Sequence, residues 1–234
     1  MNVFLDRARE CGILGDGLET TDCRIWFADQ CGYMRSRRLR EAPDCELKGL
    51  YQEKNLQTAF VALQVLRNYG ITGLRDYGIT KEAIREGFSH VCSLTGLRGR
   101  WEILSMKPLI ICDTGHNSHG LQYVAKQLKE LTNPHIWIIF GMVNDKDTDV
   151  VMRLMPGAAS AEKGKYHYIF TTPNTQRART AEEMLALWGK EGLAINDPKE
   201  AIDYSLKNAD ETDAIFIGGS NYLVGEALSI MDKY

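Results

Sequence analysis

Between residue 101 and the end of the chain, short and almost wholly apolar runs alternate with longer segments whose apolar residues recur at helical spacing. Apolar runs of this kind are typical of strands buried on both faces, and the segments between them are typical of crossover helices. The predicted strands are residues 101–105, 109–112, 135–140, 166–171, 193–195 and 214–217. The predicted helices are residues 118–131, 147–155, 181–188, 199–207 and 221–231. This alternation predicts an α/β fold, with a Rossmann-like, mostly parallel sheet covered by helices on both faces.

Residues 1–100 have a different texture, so the chain is predicted to hold two domains, 1–100 and 101–234. Apolar residues at helical spacing predict helices over 54–69 and from Thr80, a candidate N-cap, to about residue 91. The other predicted features are a helix near residues 3–11, a β-prone run at 23–27, a basic run at 35–40 and a loop at 96–99.

Charge and composition exclude several classes of partner. The chain has 28 Lys+Arg against 31 Asp+Glu, a formal net charge of −3, which argues against nucleic-acid binding by bulk basicity. The basic run at 35–40 is read as a solvated turn or as an anion site. The chain has no stretch of about 20 consecutive apolar residues, so no membrane span is predicted. Six cysteines without a C-x-x-C pair indicate free thiols and a cytoplasmic location.

Two familiar phosphate-binding sequences are absent from the chain. It has neither G-x-x-x-x-G-K-[ST] nor G-x-G-x-x-G. A nicotinamide-dependent dehydrogenase, which the fold class alone allows, is therefore disfavoured. If the chain uses a nucleotide, we expect that it does not hold the triphosphate by itself in the usual way.

Polar, glycine-containing turns follow three of the predicted strands, at residues 113–117, 141–147 and 218–222. Ligands of open α/β sheets bind beyond the carboxyl ends of the strands, so these turns are the predicted ligand site. Asp113, His116 and His119 allow three interpretations. They form a helix start with backbone hydrogen bonds, a metal site, or a polar substrate site in which Asp113 and His116 take part.

Arg100 and Lys146 are the candidate cations. Arg100 stands at the junction of the predicted domains, where it forms either an interdomain ion pair or a phosphate clamp. Lys146 taken alone is typical of a solvated side chain.

Several segments occur in an order that resembles a known family. They are Leu47-Lys48-Gly49-Leu50-Tyr51-Gln52-Glu53-Lys54-Asn55, Gly99-Arg100-Trp101-Glu102, Asp113-x-x-His116-Asn117, Gly141-Met142-x-x-Asp145-Lys146-Asp147, Pro173-x-x-x-Arg177-Ala178 and Gly219-Ser220-x-Tyr222-Leu223-Val224-Gly225-Glu226. Together they are similar to folylpolyglutamate synthase/dihydrofolate synthase, of the Mur ligase superfamily.

The resemblance implies an ATP-dependent ligase that adds L-glutamate to a folate or dihydropteroate carboxylate through an acyl phosphate. It covers about the second half of a typical member. Residues 1–100 then correspond to the end of the central ATP-binding domain, and 101–234 to the C-terminal ligase domain. The P-loop and the Mg²⁺ ligands are expected upstream of Met1, so the chain alone is expected to be inactive. The alternative is a non-catalytic nucleotide- or glutamate-binding module.

The resemblance also implies roles for individual residues. Asn55, Arg100 and Asp113 match residues that contact ATP, and His116 matches a histidine near the incoming glutamate. Ser220 and Tyr222 match a segment that lines the glutamate site, and Lys146 matches a turn that faces the active-site cleft. Arg100, His116 and Lys146 are the expected catalytic residues; ATP, Mg²⁺ and small-molecule substrates are the expected ligands. We expect a monomer that binds neither nucleic acid nor a membrane.

Overall fold

The computed structural model describes residues 44–68, 80–144, 148–157 and 164–233. By their contacts, these residues form two compact units. The smaller unit contains residues 44, 54–68 and 80–86, and the larger contains 45–53 and the described residues from 87 onward. The predicted features at 3–11, 23–27 and 35–40, together with Lys146, lie outside the described residues.

Helices before the sheet agree with the predicted pattern except at one break. Helix α1 is Gln52–Asn68 and α2 is Lys81–Ser89. The hydroxyl of Thr80 accepts a hydrogen bond from the Ala83 amide at 3.0 Å, as expected of an N-cap. The segment predicted as one helix to residue 91 is divided, because a separate helix α3, Val91–Thr95, follows His90.

A six-stranded sheet forms the centre of the larger unit. Its strands are β1 Arg100–Met106, β2 Leu109–Asp113, β3 Ile136–Phe140, β4 Tyr166–Phe170, β5 Leu193–Ala194 and β6 Ala214–Gly218. The spatial order is β1-β2-β6-β3-β4-β5, and only the edge strand β1 pairs antiparallel. The predicted mostly parallel α/β sheet is confirmed.

Helices pack on both faces of this sheet. They are α4 Ser118–Glu130, α5 Thr148–Leu154, α6 Ala181–Trp188, α7 Pro198–Asn208 and α8 Asn221–Met231. Apolar side chains of α4, α5 and α6 share one core cluster with Phe140, Phe170 and Phe216. Those of α7 and α8 share a second cluster with alternate residues of the same strands. Two buried faces explain why the central strands read as continuous apolar runs.

The order in which strands are added to the sheet reverses at β6. Strands β3, β4 and β5 are laid down outward in order, and β6 then returns to lie between β2 and β3. In the register of these strands, Gly218 pairs with Asp113 on one side and with Phe140 on the other. The three predicted polar turns therefore leave neighbouring strands at one edge, at the switch point where open α/β sheets bind ligands.

The segment 45–53, ahead of most of α1, packs against the rest of the larger unit, to which it belongs. The amide of Leu50 donates to the Gln127 side-chain oxygen at 2.8 Å, and the Gln127 side-chain nitrogen donates to the Lys48 carbonyl at 3.1 Å. These contacts join the segment to α4. The division at residue 100 into an ATP-binding remnant and a ligase domain stays a prediction.

Candidate functional site

Asp113, at the carboxyl end of β2, accepts three hydrogen bonds from its own chain. Its Oδ1 accepts from the Gly115 amide at 2.7 Å, which closes the turn into α4. Its Oδ2 accepts from the Trp101 amide at 2.8 Å and from the Tyr51 hydroxyl at 2.9 Å. The side chain is fully buried. Asp113 thus joins three separate segments of the larger unit.

Burial sets the ionisation of this pair. It raises the pKa of Asp113, and the hydrogen bonds from Gly115, Tyr51 and Trp101 and the positive charge of Arg100 oppose that rise. Burial, followed by the neighbouring Asp113 carboxylate, also raises the pKa of the Tyr51 phenol, so that Tyr51 stays a donor. The arrangement is a buried carboxylate whose charge is stabilised by directed donors and by one nearby cation.

The backbone around Arg100 has an unusual conformation. Gly99 has a φ of 72° and Trp101 has a φ of 51°, a left-handed value for a large L-residue. A β-bulge interrupts the pairing of β1 with β2 between Arg100 and Glu102. A Cβ at Gly99 would lie 2.8 Å from a methyl group of Val224, so only glycine fits there. The residue left unpaired in this bulge is Trp101, which directly follows Arg100.

Arg100 differs from its neighbour Arg98 in its partners. Arg98 forms ion pairs with Glu102 at 2.8 Å and with Asp232 at 2.9 Å. Arg100 is half-buried, and no carboxylate in the described ranges lies within the 4.0 Å of an ion pair with it. Its positive charge still acts on the Asp113 carboxylate and its side chain hydrogen-bonds to Tyr51, so the guanidinium has neighbours but no short ion pair among the described residues. The interdomain ion-pair alternative stays open.

His116 lies in the turn that Asp113 begins. Its Nδ1 lies 3.0 Å from the Thr114 carbonyl, which can only accept, so we assign the ring proton to Nδ1. In the neutral ring Nε2 is then an acceptor, and the residue is exposed. Asp113 and His116 make the backbone hydrogen bonds of the helix-start interpretation, but the residue that caps α4 is Asn117, whose side chain accepts from the Gly120 amide at 2.8 Å. Its metal alternative, with His119, has no support, since the described residues contain no group of three His, Cys, Asp or Glu suited to a metal ion.

Ser220 and Tyr222 follow the end of β6. The Ser220 hydroxyl, in a residue only 2% exposed, accepts from the Tyr222 amide at 3.2 Å and caps α8. Gly219 has a φ of 98°, and a Cβ there would lie 2.7 Å from the Phe140 ring. The Tyr222 side chain is 50% exposed. The turn is therefore closely packed beneath and open at Tyr222.

The structure brings most of the predicted site residues to one edge of the sheet. Arg100, Asp113, His116, Ser220 and Tyr222 all lie at or just beyond this edge. Asn55 lies exposed on α1, in the smaller unit, and Lys146 is outside the described residues.

Sequence reasoning assigned no role to two residues of this network, Tyr51 and Trp101. Both occur within the segments that carried the family resemblance. Those segments are the signal that could have pointed to them.

Comparison with known proteins agrees with the family resemblance seen in the sequence. Residues 99–221 match the family described as Mur ligase, glutamate ligase domain. The chain is 27% identical over 185 residues to dihydrofolate synthase/folylpolyglutamate synthase of Escherichia coli, covering 78% of this chain and 39% of that protein. It is 29% identical over 200 residues to folylpolyglutamate synthase of Lacticaseibacillus casei, covering 86% and 41%.

A solved structure of E. coli FolC in complex with DHPP and ADP is also similar. It has 25% identity and a TM-score of 0.56, over 66% of this chain and 35% of that one. The chain therefore spans about two fifths of the length of the curated relatives it matches. Residues 99–221, which match the family, include the bulge, the Asp113 turn and the start of α8.

Proposed function

The chain belongs to the Mur ligase family through its glutamate ligase domain, and we propose that it forms the amino-acid side of an ATP-dependent amide ligase. The proposed reaction adds L-glutamate to a folate or dihydropteroate carboxylate through an acyl phosphate. The relatives named above support this substrate class, because they are dihydrofolate and folylpolyglutamate synthases. We also propose a monomer in the cytoplasm. No helix within the described ranges is both long and apolar enough to cross a bilayer.

One observation carries the proposal: the registered ends of β2, β6 and β3. Asp113, Gly218 and Phe140 lie side by side, and each leads into a polar turn. Neighbouring parallel strands are roughly 4.8 Å apart, so the turns holding His116 and Ser220 can both contact one small ligand. An amino acid has the size and polarity that such an edge can hold.

Arg100 is the proposed phosphate-facing cation. When bound, ATP supplies the phosphoryl group that turns a poor acyl donor, a carboxylate, into an acyl phosphate. The negative charge that spreads over a transferring phosphoryl group needs fixed positive neighbours. The bulge fixes the backbone of Arg100, and no described carboxylate pairs with its guanidinium. These two features suit it to that task.

Asp113 is proposed to act on nucleotide binding chiefly through Arg100. The hydrogen bond from the Trp101 amide holds Trp101 in its left-handed conformation and so fixes the bulge beside Arg100. Direct contact between the carboxylate and a nucleotide would require this fully buried side chain to become accessible. Asn55 is proposed as a nucleotide contact within the smaller unit, and Lys146 is proposed to face the reacting groups.

His116 is proposed to serve the incoming amino acid. The α-ammonium group of glutamate must lose a proton before its nitrogen can attack an acyl phosphate. With Nδ1 held by the Thr114 carbonyl, the exposed Nε2 can accept that proton. Ser220 and Tyr222 are proposed to bind the glutamate carboxylates, through the Ser220 hydroxyl hydrogen and the exposed phenol.

Magnesium is proposed as the metal of the reaction, with its ligands outside the described residues. Those residues contain no cluster of His, Cys, Asp or Glu suited to a metal ion.

Calorimetric titration with L-glutamate tests the proposal on the 234-residue chain. We expect saturable binding of L-glutamate and markedly weaker binding of L-glutamine, which lacks the second carboxylate. Ser220→Ala should weaken that binding. Asp197→Ala is the matched control, because Asp197 caps α7 through the Glu200 amide at 3.0 Å but follows β5, three strands from β6. Equal loss of binding in both variants, or no binding at all, would contradict the proposal.

The second candidate is a non-catalytic binding module. The extent of the match favours it for the chain taken alone, since it spans about two fifths of its ligase relatives. Incubation with ATP, dihydropteroate and L-glutamate distinguishes the two. Binding without phosphate release supports the module for this chain, whereas phosphate release shows that it is catalytic by itself.

A further inference from the structure

Two histidines face each other at the amino edge of the sheet, the edge opposite the proposed ligase site. His135 precedes β3 and His167 is the second residue of β4. His135 Nδ1 lies 3.1 Å from His167 Nε2 and also 3.1 Å from the Gly164 carbonyl oxygen. A strand of five residues rises about 3.3 Å per residue, so roughly 15 Å separates the two edges. The proposed ligase reaction makes no use of these histidines.

The neighbouring donors and acceptors determine which ring nitrogens of His135 and His167 carry a proton. The Gly164 carbonyl can only accept, so Nδ1 of His135 carries the proton. That single hydrogen is shared with His167 Nε2, which is therefore an unprotonated acceptor with its lone pair directed at His135. A nitrogen lone pair and a backbone carbonyl oxygen thus converge on the space beside His135 Nδ1.

We propose that His135 and His167 form a binding site for a divalent late transition-metal ion, of the class of Cu²⁺, Ni²⁺ and Zn²⁺, with the Gly164 carbonyl as a third ligand. Imidazole nitrogens are preferred ligands of these ions. On binding, the His135 proton moves from Nδ1 to the ring's other nitrogen, and the ion takes the place it held. No proton is lost and no oxidation state changes.

The separation of the two nitrogens fits two ligands of a single ion. With metal–nitrogen bonds of about 2.0 to 2.1 Å, two ligands lie about 2.9 Å apart at a right angle and about 3.3 Å apart at a tetrahedral angle. The observed 3.1 Å lies between these values. Water would complete the coordination, because the described residues offer no third His, Cys, Asp or Glu at this position.

The ring of His167 is held in place by its neighbours. Trp137 stacks on it with ring centroids 4.6 Å apart and planes 25° apart, and is its registered partner in the sheet. The Trp137 indole nitrogen donates to Asp213 Oδ2 at 3.3 Å, which anchors the stack. A ligand that is already oriented loses less rotamer entropy when the ion binds.

The charges around the pair also favour a cation. The carboxylates that act on His167 are Asp213 and Glu191, and both contribute negative charge. Both carboxylates would attract an ion of charge +2. Protonation of both rings would instead bring two positively charged N–H groups into repulsive contact.

Copper titration of the 234-residue chain, followed by electron paramagnetic resonance, tests the proposal. We expect the first equivalent of Cu²⁺ to give a spectrum with hyperfine splitting from two imidazole nitrogens. His135→Gln and His167→Gln should each remove that spectrum and weaken Zn²⁺ binding at least tenfold in calorimetry. His135 is exposed, so its variant keeps the fold even if the His167 variant does not.

His119→Gln is the matched control, because His119 is an exposed histidine three residues from His116. It should bind the first equivalent of Cu²⁺ as the unchanged protein does. Loss of binding in His119→Gln with retention in His135→Gln would overturn the proposal and place the ion at the start of α4. Binding too weak to saturate at millimolar metal, or equal in all variants, would also overturn it, since that is adventitious surface binding.

Discussion

The hydroxyl of Tyr51 donates a hydrogen bond to Oδ2 of Asp113 over 2.9 Å, although 62 residues separate the two in the chain. Tyr51 stands just before α1, and Asp113 ends β2. The bond therefore joins the segment ahead of the first described helix to the centre of the proposed ligase edge. The same Oδ2 holds the Trp101 amide, so the contact also supports the backbone on which Arg100 stands.

Tyr51→Phe should destabilise the larger unit. The change removes one of three donors to a fully buried carboxylate, and an unsatisfied buried group costs about 1 to 3 kcal/mol. Urea unfolding followed by circular dichroism measures the loss. Tyr222→Phe removes a half-exposed hydroxyl and should change the free energy of unfolding by less than about 0.5 kcal/mol. Equal effects of the two substitutions would show that the Tyr51 contact contributes nothing.

The ionisation of Asp113 predicts a dependence of stability on pH. Burial raises its pKa in the folded protein above the unfolded value of about 3.9. Between those two values the folded state holds more protons than the unfolded state, so this group's contribution to stability falls as pH rises. The contribution is therefore most favourable near pH 4 and is lost as pH rises through the folded pKa.

Comparison with Asp113→Asn isolates this effect. The free energy of unfolding of the unchanged protein, minus that of the variant, should decrease from pH 4 towards pH 7 in urea titrations. Other titrating groups are common to both proteins and cancel to first order. A difference that stays constant, or that grows with pH, would contradict the raised pKa.

Two glycines close in sequence should respond oppositely to alanine. Gly219 has a φ of 98°, and an added Cβ would lie 2.7 Å from the Phe140 ring, so Gly219→Ala should destabilise by about 2 kcal/mol or more. Gly225 lies within α8 and a Cβ there would meet nothing within 4 Å, so Gly225→Ala should stabilise by about 0.5 to 1 kcal/mol. Thermal unfolding of both variants measures these signs. Destabilisation by both would mean that α8 tolerates no added methyl group.

Arg100→Ala should lower the turnover number by about 10³-fold, in the form of the protein that shows ligase activity, because fixed cations contribute that much to phosphoryl transfer. Arg100→Lys should recover only part of the loss, since an ammonium group lacks the planar pair of donors. Arg98→Ala is the control, because Arg98 is already paired with Glu102 and Asp232. Equal rates for Arg98→Ala and Arg100→Ala would contradict the assigned role.

Local patterns were sufficient to predict most of the fold. Helices over 181–188 and 221–231 are confirmed to the residue, because Thr180 and Ser220 cap their first turns and apolar spacing sets their length. The apolar runs located the six strands of the sheet in the described part of the chain. The carboxyl ends of parallel strands lie at one edge of a sheet, and this rule predicts that the three polar turns lie together. The registers of β2, β6 and β3 confirm this.

Features set by distant contacts were not predictable in this way. The left-handed Trp101 depends on an amide bond to Asp113, and Tyr51 reaches Asp113 only in the folded chain. The grouping of 45–53 with the larger unit likewise rests on contacts with Gln127 in α4. No local spacing or composition records such long-range pairs.

The most direct test of the ligase proposal maps L-glutamate on the 234-residue chain by ¹H–¹⁵N nuclear magnetic resonance. We predict that the amides with saturable shifts lie in two turns, 114–119 and 218–223, while those at the amino edge near His135 and His167 stay unchanged. Saturable shifts confined to other parts of the chain, or no shifts at millimolar L-glutamate, would contradict the assignment of this edge to the amino-acid substrate.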